Sequence, residues 1–156
     1  MRKILGLIFV SAALILTSCT SNEGAVKKLA AAQAESKYDE MLKKEAEDMI
    51  PQSDFLRQGY VDYLKKHSEF ETEDVKIEGE NFAIAKVTVT TYPAAMRKTL
   101  AKIAGTVDPS KARQFNFGNA LQLIAQQTGG STSTAKQDAG VFKYHKNSSG
   151  NWLLEE

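Results

Sequence analysis

The chain has 156 residues, 42% hydrophobic and 25% charged, with a formal net charge of +1 and a single cysteine, Cys19. That balance is ordinary for a globular chain and excludes a disordered stalk. It leaves no charge excess for nucleic acid and no cysteine pair for a disulfide, so the fold rests on packing alone.

The chain starts with Arg2 and Lys3, runs uncharged and mostly aliphatic over residues 4–16, and reaches Cys19 through the small residues Thr17 and Ser18. This is the order of a secretory signal peptide. The apolar run is 13 residues, short of the roughly 20 that a helix needs to cross a bilayer core, so no permanent span is predicted. Leu16-Thr17-Ser18-Cys19 resembles a bacterial lipobox. The resemblance implies that residues 1–18 are removed and that Cys19 becomes the first residue, carrying a diacylglyceryl group on sulfur and a further acyl chain, palmitate or similar, on its new amino group. Each buried methylene contributes about 0.8 kcal/mol to membrane affinity, and two or more chains make a stable anchor. The implied partner is therefore the lipid bilayer and the implied location the cell envelope. Thr20 is not the aspartate that resembles an inner-membrane retention signal, which favours the periplasmic face of the outer membrane. The shortened chain would have 138 residues, 18 of them basic and 19 acidic, enough for one domain.

Residues 19–24 read as a short lipidated tether and residues 25–156 as a single α+β domain. Over residues 25–50 the pattern is helical, with Tyr38, Met41, Leu42, Glu45 or Ala46, and Met49 on one stripe. Asp39 with Lys43 and Glu40 with Lys44 have the acid four residues ahead of the base. The alanine-rich stretch before Tyr38 reads as a weakly amphipathic spacer outside the core. Pro51 breaks the helix, and Ser53 or Asp54 caps a second one carrying Leu56, Tyr60, Tyr63, Leu64 and His67.

The rhythm then changes to period two. Val75 and Ile77 predict a half-buried strand over residues 73–78, Gly79 and Asn81 a turn, and residues 82–92 a longer strand. Phe82 and Ile84 have one parity and Val87 and Val89 the other, which predicts a β-bulge near Ala85 and Lys86. Pro93 ends that strand. Met96, Leu100 and Ile103 mark a helix over residues 94–104 stopped by Gly105, and Asp108-Pro109 opens a helical piece to Thr128. Residues 129–134 form a polar connector. Residues 140–146 and 151–155 read as a hairpin with Phe142, Tyr144, Trp152 and Leu154 facing the core.

The order is α-α-β-β-α-α-β-β, which predicts N-terminal helices packed on a curved antiparallel sheet with a helical insertion between strand pairs. This order, with the "ENFAIAKVTVTTY" and "GVFKYHKNSSGNWLLEE" segments, resembles the cystatin-like α+β folds, in particular the nuclear-transport-factor-like and SnoaL-like cone domains. The resemblance implies a bent sheet wrapping a long helix and leaving a cavity at one end. No functional residue carries over, because that shape serves enzymes and binders alike.

Neither His67 nor His145 has partners at metal-ligand spacing, and there is no phosphate loop or nucleophile elbow, so no cofactor, metal or catalytic residue is assigned. The best polar constellation is Tyr60, Asp62, Tyr63 and His67 with Tyr92, although Asp62 falls about 200° around the helix from Tyr60 and faces water. Arg97, Lys98, Lys102, Lys111 and Arg113 form the one basic cluster. The predicted function is a non-enzymatic binding domain for an envelope protein or a small apolar ligand, with Tyr60, Tyr63, His67, Tyr92, Met96, Arg97 and Leu100 as candidate contacts. The insertion's apolar stripe is expected to need a partner to cover it. The alternatives are a pocket enzyme of isomerase or dehydratase kind and a structural protein self-associating through residues 24–50.

Overall fold

The computed structural model describes residues 21–155; the leader, Cys19 and Thr20 lie outside them. Helix α1 spans Asn22–Met49, and its buried residues fall at every fourth position: Val26, Ala30, Ala34, Tyr38, Leu42 and Ala46. Four residues turn a helix through slightly more than one revolution, so this stripe advances by about 40° per step and by about 200° from Val26 to Ala46. One helix thereby serves two cores, their middle residues Ala30 and Leu42 about 120° apart around its axis. Val26, Ala30 and Ala34 share a core with Ala83, Ala85, Phe142, Tyr144 and Trp152. Tyr38, Leu42 and Ala46 share another with Leu56, Tyr60, Leu64 and Leu100.

This corrects two expectations. The alanine-rich stretch is core and not a spacer, because its small side chains let the helix sit close on the sheet. Asn22, Glu23 and Gly24, expected in a tether, form the first turn of α1, and Ser21 caps it by accepting from the Gly24 amide at 3.2 Å. The buried stripe of α1 is used inside the molecule.

Helix α2, Asp54–Lys66, is capped by Ser53, which accepts from the Leu56 amide. Asp39 bridges Lys43 on its own helix at 2.6 Å and Lys65 on α2 at 2.9 Å, and these two ammonium groups hold its carboxyl below the usual range. Glu40 and Lys44 form no such bridge.

Four strands follow as an antiparallel meander in the order β1-β2-β3-β4: β1 Glu69–Glu78, β2 Phe82–Thr91, β3 Ala135–Lys146 and β4 Trp152–Leu154. Between β2 and β3 lie α3, Ala94–Gly105, a 3-10 turn over Pro109–Gln114, and α4, Phe117–Thr128. The architecture is therefore α+β, helices against a four-stranded antiparallel sheet.

The predicted bulge exists in the sheet but not in β2. Ala83, Ala85, Val87, Val89 and Thr91 all face inward, with one parity throughout. The extra residues are Glu73 in β1, between the Thr72–Val87 and Asp74–Lys86 pairs, and Ala139 in β3, between the Val87–Gly140 and Thr88–Asp138 pairs. At the second, the Asp138 carboxylate accepts from the Gly140 amide at 2.7 Å while Gly140 takes φ 121°, a conformation that favours glycine. Judging by size misassigned β2: Phe82 and Ile84 face out, and the alanines beside them face α1. Both flanking strands also begin earlier than predicted, at Glu69 and Ala135, because each bulge breaks the alternation that marks a strand.

The long helical piece expected after Asp108 is divided. Asp108 caps the 3-10 turn by accepting from the Ser110 amide at 2.8 Å, and Asn116 caps α4 by accepting from the Asn119 amide at 2.9 Å. The insertion also covers its own apolar stripe. Leu100, Ala101, Ala104, Ala112, Leu121 and Ile124 are buried in the helical core with α1 and α2, so no partner is needed there. Gly105 is a contact residue and not a left-handed stop: it closes α3 with ordinary φ, and Thr106 follows as the cap.

Candidate functional site

Most of the predicted contact residues converge where α2, α3 and the end of β2 meet the second half of α1. Tyr60 is fully buried, and its hydroxyl donates to Glu45 Oε2 at 3.0 Å, with the Arg97 carbonyl at 3.3 Å. Arg97 is 5% exposed; its Nη1 donates to the Tyr92 carbonyl at 2.9 Å, and its guanidinium lies 5.8 Å from the Tyr38 ring centroid. Its Nε is 3.5 Å from Glu45 Oε2, an ion pair without an aligned hydrogen bond. Beyond Tyr38, the network runs through Thr91 at 2.6 Å to Ser68, whose hydroxyl donates to the Leu64 carbonyl at 2.7 Å and lies 2.8 Å from Thr91 Oγ1. Leu100 is wholly buried beside this cluster and Met96 partly so.

At the edge, the aromatic rings form a ladder. Tyr63 stacks on Phe117 at 5.9 Å between centroids and on Tyr92 at 6.4 Å, meets His67 tilted at 4.4 Å, and Phe115 meets Phe117 edge-on at 4.9 Å. His67 is exposed, with Nδ1 2.7 Å from the Tyr63 carbonyl. Gly59 makes room for Phe117, since a Cβ there would lie 2.9 Å from the ring.

Asp62 stays apart, exposed and held by Gln58 Nε2 at 2.8 Å. His145 is on β3, away from His67, with Nδ1 3.9 Å from Glu155. Among the described residues no group of three His, Cys, Asp or Glu side chains is placed to hold a metal ion.

Compared with family models, curated proteins and solved structures, the chain matches none.

The groups that sequence reasoning missed are Glu45, Ser68 and Thr91. Glu45 stood on the helical stripe only as an alternative to Ala46, and the hydroxyls of Ser68 and Thr91 carry no periodicity signal. The chemistry of the cluster is cross-linking: a carboxylate, a guanidinium and four hydroxyls, those of Tyr38, Tyr60, Ser68 and Thr91, bind one another and backbone carbonyls, tying α1, α2, α3 and β2 together. Two surface grooves lie elsewhere. One, about 260 Å³, runs between α1 and α2 and is lined by Lys43, Ala46, Glu47, Asp54, Arg57 and Val61. The other, about 220 Å³, lies over the sheet and includes Phe82, Ile84 and Lys143. Neither shares a lining residue with the Tyr60–Arg97 cluster.

Burial raises the Tyr60 hydroxyl far above its usual range, with the Glu45 carboxylate adding to the effect. Burial, with the neighbouring Tyr92 phenol adding to it, pushes Tyr63 up to about 12, and burial alone pushes Tyr144 up to about 12. Each folded value lies above the ordinary 10, so the stability these phenols contribute is fully present below pH 10 and is lost as pH rises toward 12. Spectrophotometric titration at the tyrosinate band should therefore show part of the five tyrosines ionising late, together with unfolding. Five independent titrations near pH 10 with the fold intact would contradict this burial.

Proposed function

We propose that this chain is a lipoprotein of the bacterial cell envelope, held at a bilayer by acylated Cys19, with an α+β domain that acts as a non-enzymatic binding module. The observation that carries the proposal is Leu16-Thr17-Ser18-Cys19 at the end of a charged-then-apolar leader. Support comes from the start of the fold: Ser21 already caps α1, so the chain would pass from lipid to folded domain within two residues. No helix among the described residues is long and apolar enough to cross a membrane, and the acyl chains would supply the attachment. The long helix against a bulged antiparallel meander supports likeness to the cystatin-like and nuclear-transport-factor-like cone domains, with α3 to α4 as the insertion. A binding role is favoured over a catalytic one because the polar residues that converge are engaged with one another and with backbone carbonyls in the core, and Asp62, the candidate acid, stands outside them. The ligand would be an envelope protein or a small apolar molecule, met at the periplasmic face of the outer membrane.

Replacing Cys19 with serine should move the protein from the washed membrane fraction to the soluble one, or leave it with an uncleaved leader. A Cys19→Ser protein that is processed normally and stays with the membranes would sink the proposal.

A further inference from the structure

We infer that the end of the sheet formed by its two hairpin turns rests on the bilayer, with Phe82 and Leu153 entering the boundary between headgroups and acyl chains. In an antiparallel sheet with one face on the core, the other normally faces water and reads polar. Here Phe82, Val141 and Leu153 are 53%, 57% and 44% exposed, and Ile84 is half-buried beside them. The register gathers them at one end. Glu78, Phe82, His145 and Leu153 form the last row across β1 to β4, Lys76, Ile84 and Lys143 the next, and Asp74, Lys86 and Val141 the third. Residues 79–81 and 147–151 turn the chain just past the last row.

The course of α1 brings the lipid to that end. The Tyr38 hydroxyl is 2.6 Å from Thr91 Oγ1 and 3.2 Å from Ser68 Oγ, at the opposite end of β1 and β2. Nearer the start of α1, the Lys27 carbonyl accepts from Thr72 Oγ1 at 3.0 Å, partway along β1. At about 1.5 Å of rise per residue the helix covers about 16 Å between those contacts, and Ser21 lies about 9 Å further in the same direction, toward the hairpin turns. Val26, with Ala25 and Leu29, accordingly belongs to the core that holds Ile77, Ala83, Tyr144 and Trp152. Cys19 is two residues before Ser21, at most about 7 Å away, and a headgroup layer is itself about 5–8 Å thick. So short a link cannot hold the domain clear of the lipid, and the surface nearest Ser21 meets the headgroups. The other exposed large hydrophobics, Met41, Phe55 and Leu123, lie on the second half of α1, on α2 and on α4; Met41 is about 30 Å along the helix axis from Ser21. Charge does not oppose the contact. The three rows hold Asp74 and Glu78, with Glu155 beside Lys143, against Lys76, Lys86 and Lys143, and Lys76 already bridges Glu78 at 3.0 Å. A face without net charge is not repelled by a zwitterionic bilayer, and Lys143 can extend along Ile84 toward the phosphates. The inference deepens the proposed anchoring and rests on the acylation of Cys19.

The test is site-directed spin labelling of the protein purified from cell membranes and reconstituted in phosphatidylcholine vesicles. Cys19 is the only cysteine, and acylation holds its sulfur in a thioether, so the cysteine of a Leu153→Cys or Leu123→Cys protein takes the nitroxide alone. In power-saturation measurements oxygen should relax the label of Leu153→Cys about twofold more than a water-soluble nickel chelate does, and the label of Leu123→Cys should show the reverse. Adding Phe82→Ser to Leu153→Cys should lower its oxygen-to-nickel ratio by about half; both side chains are exposed, so the fold survives. The surface is overturned if the Leu153→Cys label answers to nickel as a label in water does, or if the Leu123→Cys label is the one that enters lipid. It is equally overturned if dipolar broadening of the Leu153→Cys label grows with the protein-to-lipid ratio, which would assign the face to a second copy. Intact mass of the same sample keeps the two readings apart. An acylated chain whose Leu153→Cys label stays in water loses only this surface, whereas a chain without acyl groups, labelled at Cys19 as well, loses the anchor and this surface with it.

Discussion

Substituting Gly105 with alanine should destabilise the domain by about 3 kcal/mol, the upper end for overpacking, and lower its melting temperature by about 10 °C for a domain of this size. A Cβ on Gly105 would lie 2.2 Å from the Met49 carbonyl oxygen and 3.4 Å from its carbon. The obstacle is backbone at the last turn of α1, which cannot rotate aside as a side chain could. Movement of α3 would also pull on Gln52, whose Nε2 reaches the Ala104 carbonyl at 3.1 Å from the α1–α2 corner. Because Gly105 has an ordinary φ, its own backbone would accept alanine, and the collision is the whole effect. Gly59→Ala is the useful contrast: the neighbour there is the edge of the Phe117 ring at 2.9 Å, which can tilt, and a loss of about 1 kcal/mol is expected. Chemical denaturation of the two variants checks the ranking. A Gly105→Ala protein as stable as its parent would mean that α3 does not pack against the end of α1.

The second large effect is expected at Arg97. Removing one partner of a buried pair leaves an uncompensated charge and typically costs about 3–5 kcal/mol; the lower end applies here, because the Glu45 contact is 3.5 Å and unaligned. Arg97→Ala also strips the Tyr92 carbonyl of its 2.9 Å donor. Arg97→Lys should recover little, since an ammonium group lacks the planar fork that reaches Tyr92 and Glu45 together. Glu45→Gln should cost less than either, because the amide oxygen can still accept from Tyr60. A double-mutant cycle on Glu45 and Arg97 isolates the pair, and a coupling of about 1 kcal/mol or more is expected for groups in one network. A coupling near zero would show that Arg97 acts through Tyr92 alone.

The elements were legible in the sequence wherever one period ran undisturbed. Ser53, Asp108 and Gly79 mark boundaries through local chemistry that needs no tertiary context, and the structure places a cap or turn at each. Reading failed where the signal was smallness. Ala30, Ala34, Ala83 and Ala85 form the helix–sheet contact, yet alanine carries little hydrophobic weight, and size alone points to Phe82 and Ile84 as core. The winding of the α1 stripe weakened its amphipathic signal in the same way, since a face that rotates by about 200° has no single apolar side. In the site, Tyr60, Tyr63 and Arg97 could be named as polar or aromatic residues on helical stripes. Glu45, which meets Tyr60 and Arg97, comes from α1, and Thr91 and Ser68, which bond to Tyr38, come from the end of β2 and the link after α2; only the packing of α1 against α2 and β2 brings them into reach.

Intact-mass analysis of the protein taken from its native membrane tests the central claim most directly. The account predicts a chain beginning at Cys19, heavier than its sequence by a diacylglyceryl group and an amide-linked acyl chain. A species that retains residues 1–18 with an unmodified thiol would contradict it.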